Sequence, residues 1–460
     1  MKLRTRVLAC ATSLSLLSAC SVSDITAPID SITGPASSGA SSRALVVGDE
    51  PFAVKAAASV LNEGGSAADA ATAMYFALAV TYPVSAGLGG GGICIVHDSA
   101  SGRSEEFDFL ARDAGVAGPY AVPGAVRGFA MLQTIYGALP WQRDVSPGEG
   151  LAATGFPISH ALAVRLNSSQ EVIRLDAGLA SEFMDEAGRV KQAGTVVFNT
   201  DLATTLAAIR TGGPDALYRG NAGARLLAYT QQQGAGISVA EFAQYKVVDA
   251  SPQTIAFGSQ QLFIPQASTG AGAFAGSLFS NLARAEQTST GSTDLQASVV
   301  YSVKQALAQF NVANLPQDLG ATGFAATDAR GQSVACAVTM NGPFGSGHTV
   351  PGTGVTLARA PSSGGTGVAA AFLTPVIAVD SGGGLSLAGA GAGGPNGTAA
   401  IGYALSQIAH GSLIATRADL RSTGVAPYDT VNAIICQSGG CVALPDPGAN
   451  GLGAAGEAGR

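Results

Sequence analysis

The stretch Gly87-Leu88-Gly89-Gly90-Gly91-Gly92 runs directly into Ile93-Cys94-Ile95-Val96. Five glycines in six positions strip the backbone of Cβ atoms just before an apolar strand. Such a run permits close packing of chain on chain or an unusual backbone path. It is not a phosphate loop, because no Gly-Lys-Ser/Thr ending is present and no helix is expected to follow. The composition supports a large core: 47% of the 460 residues are hydrophobic and 12% are charged, the reverse of a solvated disordered chain. The 62 glycines are scattered rather than periodic, so they imply tight turns and close approaches, not collagen or a linker. A net charge of −7 gives no reason to expect nucleic acid as a partner. The four histidines, His97, His160, His348 and His410, lie far apart and near no CxxC pair, so neither a metal site nor a cofactor is expected.

Residues 1–19 read as a bacterial lipoprotein signal peptide. Lys2, Arg4 and Arg6 are basic, and Val7 to Leu17 is apolar but too short to span a bilayer. Leu17-Ser18-Ala19-Cys20 resembles a lipobox, which makes Cys20 the lipid-attachment site; a plain secretory signal cut nearby is the other reading. Ser21 follows, with no Asp to signal inner-membrane retention. By resemblance to lipoprotein sorting, that points to the periplasmic side of the cell envelope, at the outer membrane. Residues 20–42 are rich in Ser, Ala, Gly, Pro and Thr and read as a flexible tether. The apolar run from Ala67 to Val80 contains Asp69 and leads to Pro83, which fits a buried helix better than a membrane span. In an oxidising compartment Cys436 and Cys441, flanking a hairpin-like Gln-Ser-Gly-Gly, are expected to pair. Cys94 and Cys336 lie in apolar runs and are expected as buried thiols.

Apolar residues recur at helical spacing over Pro51–Leu61 and again over Ser66–Leu78, with Gly64-Gly65 between them. The middle, residues 120–250, reads as mainly helical, with helices over Leu202–Ile209, Ala222–Gln233 and Val239–Tyr245. A short strand over Ser259–Ile264 leads into Pro265–Gly270. The last third changes character. Thr322–Asp328 and Gln332–Met340 are apolar runs joined by Ala329-Arg330-Gly331, a hairpin signal, and Phe372–Val379 and Leu385–Gly389 form a second strand pair. Asn396–His410 reads as a helix capped by Asn396 and ended by Gly411. Paired strands flanked by helices suggest layered α and β structure around an antiparallel sheet.

Several blocks resemble the γ-glutamyltransferase family in order along the chain. They are Gly64–Ala70, Pro83–Gly92, Val122–Gly128 with Tyr136–Trp141, Gly155–Ser159, Asn199–Leu202, and Phe324–Gly354 with its Asn341–Gly347 and Val350–Gly354 segments. The resemblance covers about residues 48–420 and implies an α+β fold, the four-layer αββα sandwich of N-terminal-nucleophile hydrolases. It divides residues 43–460 into a large-subunit-like part (43–320) and a small-subunit-like part (321–460). In such a family the precursor cuts itself into a large and small subunit pair. The Thr exposed at the new N-terminus attacks γ-glutamyl amides such as glutathione, with its own α-amine as base.

The family's nucleophile position falls on Ala321, which has no hydroxyl, and the next family Thr on Thr322. Thr339 matches the Thr that hydrogen-bonds the nucleophile, Asn341 the Asn that helps hold substrate, and Gly393-Gly394 the pair whose amides stabilise the oxyanion. The substrate-carboxylate Arg of the family falls on Leu110, with Arg112 two places on. The family Ser pair falls on Ala371-Phe372, and Ala360 and Ser363 stand in the region of the acid that meets the substrate amine. Two readings follow. One is an active, divergent enzyme with Thr322 as nucleophile, although a one-residue shift in a strand turns a side chain to the other face. The other is a degenerate paralogue that keeps the fold and binds a small ligand or an envelope protein. Thr339 and Asn341 also have a plain structural reading as strand end and Asn-Gly turn, and Arg112 as a surface charge.

Overall fold

The computed structural model describes residues 44–288, 294–310, 315–363, 365–420, 428–437 and 440–456. The expected signal, Cys20 and the expected tether lie outside the described residues. The strands of the two large sheets are, in chain order, β1 (Leu45–Gly48), β2 (Gly91–Asp98), β3 (Arg103–Asp108), β4 (Val248–Ala250), β5 (Gln253–Phe257), β6 (Gln260–Ile264), β7 (Ala321–Thr327), β8 (Gln332–Thr339), β9 (Thr374–Val379), β10 (Leu385–Ala392), β11 (Thr430–Gln437), β12 (Gly440–Leu444) and β13 (Leu452–Ala455). One sheet has the order β13-β1-β7-β8-β2-β3-β4, the other β12-β11-β10-β9-β6-β5. Pairing within both is antiparallel.

Side-chain alternation sorts each strand between two layers. In β7, Phe324 and Ala326 face a helical layer that includes α1 (Pro51–Asn62) and α2 (Ala67–Thr81). Ala325, on the other face, meets Leu45, Val47, Ile95, Ala335, Ile377, Ala388 and Ile434 from both sheets. In β11, Val431, Ala433 and Ile435 face the opposite helical layer, which includes α6 (Ala271–Thr288), α7 (Leu295–Ala308) and α8 (Pro395–Ala409). Helices α3 (Ala125–Tyr136), α4 (Trp141–Thr154) and α5 (His160–Ser168) extend the first layer. The result is an αββα sandwich. Strands from residues 43–320 and 321–460 pair with one another in both sheets, so neither part owns a core of its own.

Local chemistry explains the element ends. Ser66 caps α2 by accepting from the Asp69 N–H at 3.1 Å while Asp69 accepts from the Ser66 N–H at 2.8 Å, a capping box. The glycine run is forced by contact: a Cβ on Gly91 would lie 2.1 Å from Ala111 N and 2.5 Å from Phe109 O. The expected helices of the middle region appear as Thr200–Gly212, Asn221–Gln232 and Val239–Ala243.

Two expectations need correction. Asn396 does not cap α8: Gly394 holds that position and Pro395 opens the helix, with its fixed φ suited to the first turn. The acceptor comes from elsewhere, as Asp429 Oδ2 takes the Asn396 N–H at 3.0 Å. Cys94 and Cys336 are buried but are not thiols. The register of β2 and β8 sets them directly opposite, Cα atoms 4.1 Å apart, and they form a disulfide. Cys436 and Cys441 form a second disulfide across β11 and β12. Among the described residues no helix is long and apolar enough to cross a membrane.

Candidate functional site

The site is built around the start of β7. Gly320 precedes it in the left-handed region, φ +58°, and a Cβ there would meet Gly342 O at 2.0 Å. The chain entering β7 therefore presses against the turn that leaves β8. Three backbone and hydroxyl bonds hold that junction. Met340 N–H donates to Gly320 O at 3.0 Å, Gly342 N–H donates to Leu319 O at 2.9 Å, and Thr339 Oγ1 donates to Gly320 O at 3.0 Å. Thr339 Oγ1 also accepts from the Asn341 N–H at 2.9 Å. Asn341 takes a left-handed conformation, φ +57°, which Asn tolerates better than most residues. Its Nδ2 donates to Arg359 O at 2.9 Å.

Thr339 is the register partner of Ala321, so these two and Asn341 are brought together. Thr339 gives its proton to the carbonyl before Ala321, and Asn341 spends its amide on a neighbouring backbone. Ala321 itself faces the inter-sheet space and packs with Ile93, Ala271, Ala337, Leu373, Ala390 and Ala392. Leu110, at the position of the family Arg, packs against the same cluster. The two sheets approach closely here: a Cβ on Gly323 would lie 2.7 Å from Ala390 Cβ.

Gly393 and Gly394 follow Ala392 and are demanded by packing. A Cβ on Gly393 would meet Tyr428 O at 2.2 Å, and one on Gly394 would meet Asp429 Oδ1 at 2.5 Å. The Asp429 carboxylate thus sits at the N-terminus of α8, where an anion is favoured. Arg112 is not brought to Ala321's cluster. Its guanidinium lies 3.4 Å from Asp108 Oδ2 and over the Tyr245 ring, and its side chain is 42% exposed. Burial raises the Asp108 carboxyl above its ordinary range, opposed by its bond to the Leu110 N–H and by Arg112. Phe372, in the family Ser pair, is buried in the outer helical layer against Phe274.

Thr322 is placed apart from Ala321, on the opposite face of β7 by alternation. It is completely buried, and its Oγ1 donates to Asp49 Oδ2 at 2.7 Å. Asp49 Oδ1 accepts from Asn432 Nδ2 at 2.8 Å, and the same Nδ2 reaches Gly323 O at 2.9 Å. Asn432 Oδ1 accepts from the Asp446 N–H at 3.1 Å. Burial, then the charge of Asp446, holds the Asp49 carboxyl above the usual carboxylate range. A second buried group steadies the segment ahead of β7. Arg165 lies between the Tyr82 and Tyr428 rings and donates to Asp318 Oδ1 at 2.7 Å, while Asp318 Oδ1 also takes the Gly320 N–H at 2.8 Å.

Sequence reasoning missed Asp49, Asn432 and Arg165. They are 383 residues apart at the extreme and share no motif or spacing. The available signal was only their charge or polarity beside apolar segments in a chain so poor in charge.

A family model described as gamma-glutamyltranspeptidase matches residues 53–309 and stops short of Ala321. Glutathione hydrolase 2 of Arabidopsis thaliana is 33% identical over 228 residues, which is 46% of this chain and 39% of the relative. The chain therefore spans well under half the length of that relative in the match. Acylase ACY 1 proenzyme of Pseudomonas sp. (strain SE83) is 27% identical over 381 residues, 68% of each protein. The crystal structure of cephalosporin acylase from Bacillus halodurans superposes with a TM-score of 0.74 at 17% identity, covering 91% of this chain and 96% of that one, a likeness of fold.

Proposed function

The chain belongs to the gamma-glutamyltranspeptidase family, and on that premise we propose that it cleaves γ-glutamyl amides such as glutathione, by hydrolysis or by transfer to an amine, through an acyl-enzyme on Thr322. The observation that carries this reading is the Thr322 hydroxyl, one residue into β7 and hydrogen-bonded to a buried carboxylate at 2.7 Å. A hydroxyl held by a proton acceptor is the arrangement a weak nucleophile needs. Cleavage between Ala321 and Thr322 frees the strand end, so Thr322 is no longer bound to the face that alternation imposes on the uncut chain. Its new α-amine then serves as base for attack on the substrate amide, and water or an amine releases the acyl group. Relatives named as glutathione hydrolases support the γ-glutamyl donor, and those named as acylases support amide cleavage as the wider reaction class.

A second reading has its own observation. Ala321 carries no hydroxyl and is packed with Leu110 and Leu373, an apolar setting that offers no grip on an α-amino acid. In that reading the chain keeps the fold and binds a small ligand or another envelope protein without chemistry. Denaturing electrophoresis under reducing conditions separates the two. Two fragments, the smaller beginning at Thr322, with glutathione hydrolysis lost in Thr322→Ala, support the enzyme; a single intact chain without hydrolysis supports the silent form.

The reading also includes an address. Leu17-Ser18-Ala19-Cys20 supports lipid attachment at Cys20 and a place at the periplasmic side of the outer membrane. Several acyl chains on one Cys anchor stably where one does not. Cys20→Ala is expected to move the protein from the membrane to the soluble fraction; unchanged partitioning rules the anchor out.

A further inference from the structure

We propose that Asp49 is the proton acceptor that activates Thr322 for cleavage of the Ala321–Thr322 bond, an inference that rests on Thr322 being the nucleophile. The carboxylate is fixed from both sides. Asn432 Nδ2 holds Oδ1 at 2.8 Å, and Oδ2 meets the Thr322 hydroxyl at 2.7 Å. Asn432 is itself anchored by Gly323 O and the Asp446 N–H, so the acceptor has little freedom to turn away. Asp49 is fully buried, and Arg165, the cation that acts on it from a distance, has its guanidinium bonded to Asp318 and Tyr82. A buried carboxylate is costly even with a cation at a distance, and an Asn at this position could satisfy Asn432 and Thr322 without charge. Charge here has a use if a proton must be taken.

The step balances within the chain plus one water. Asp49 takes the proton from Thr322 Oγ1 as the oxygen bonds the Ala321 carbonyl carbon, closing a five-membered ring. The ring opens by breaking the Ala321–Thr322 C–N bond, and Asp49 returns the proton to the departing nitrogen, which becomes the α-amine of Thr322. The Ala321 acyl group is then an ester on Oγ1. Water hydrolyses that ester, leaving a carboxyl on Ala321 and the free hydroxyl on Thr322. Proximity fixed in the fold supplies the orientation that an intermolecular attack would need to find.

The titratable and charged groups facing Asp49 are Asp446, whose charge adds to the upward shift, and Tyr82 and Arg165, both within electrostatic reach of it, with Asp318 behind Arg165. The raised carboxyl makes a stronger base than an exposed Asp, and it loses that role as pH falls through its own titration.

The test is a chase of freshly translated full chain from pH 4 to pH 9, followed by reducing electrophoresis and mass spectrometry of the fragments. Expected are a wild-type fragment beginning at Thr322, retained cutting in Thr322→Ser, and cutting slowed roughly 100-fold or more in Asp49→Asn. The wild-type rate is expected to fall on the acid side, above the ordinary Asp range. Wild-type cutting with an unchanged rate in folded Asp49→Asn overturns the role of Asp49 alone. Should that variant fail to fold, the wild-type profile decides, and a rate independent of pH overturns the proposal. A wild-type chain that stays whole removes both the Thr322 reading and this one.

Discussion

Asp144 lies in α4 with its side chain completely buried, and neither carboxyl oxygen meets a hydrogen-bond donor among the described residues. It faces the carboxyl of Asp69, whose Oδ2 already accepts from the Ser66, Ala138 and Leu139 N–H groups and from Ser66 Oγ, and whose Oδ1 has no donor. Two acceptors in contact need a shared proton. Burial first, then the charge of Asp69, pushes Asp144 up to about 9. The native state therefore holds a proton that the unfolded chain releases above about 4, so stability falls as pH rises from there to about 9. Each pH unit in that window costs about 1.4 kcal/mol, and the three units from pH 5 to pH 8 come to about 4 kcal/mol as an upper limit. Asp144→Asn places a permanent donor against Asp69 Oδ1 and removes the titration. Urea unfolding of both proteins at pH 5, 6, 7 and 8 checks this. The variant is expected to gain steadily on the wild type as pH rises, with equal m values. Parallel stability curves with a constant gap would show that the pair does not share a proton and would refute the reasoning.

Three further perturbations act on the backbone, the ion pair and the disulfide described above. Arg165→Ala leaves the mostly covered Asp318 beside the entry to β7 without its cation and is expected to cost about 3 kcal/mol in urea unfolding. Gly91→Ala sets a Cβ 2.1 Å from Ala111 N, a backbone atom that cannot rotate away; a loss above about 3 kcal/mol or failure to fold is expected, read by circular dichroism. Replacing both Cys94 and Cys336 by Ser is expected to cost roughly 2–5 kcal/mol, with the gap to the wild type closing when both proteins are unfolded in reductant.

Much of the fold was legible because its signals are local. The Gly64-Gly65 break, the helical spacing on either side of it and the Ala329–Gly331 hairpin each depend on residues within a few positions of one another. Alternation alone also said that Thr322 and Ala321 point to opposite faces, and Ala321 packs between the sheets while Thr322 bonds Asp49. What escaped depends on partners far along the chain. Asn396 was a sound cap by sequence, yet Asp429 from a distant segment supplied the acceptor and Pro395 the start. Cys94 and Cys336 gave no spacing to read, because only the β2–β8 register makes them neighbours. Asp49, Asn432 and Arg165 carry no pattern at all; their meaning is entirely tertiary.

The Cys94–Cys336 bond makes the chain between them a covalent ring, and the Ala321–Thr322 link is part of that ring. Cutting there opens the ring without releasing any piece. The products remain one molecule that dilution cannot separate and that runs as a single species until a reductant is added. A protein held this way can gain a free amino terminus at its centre while never facing the concentration dependence of a two-chain complex. In an oxidising compartment it has the permanence of a single chain and the chemical ends of two.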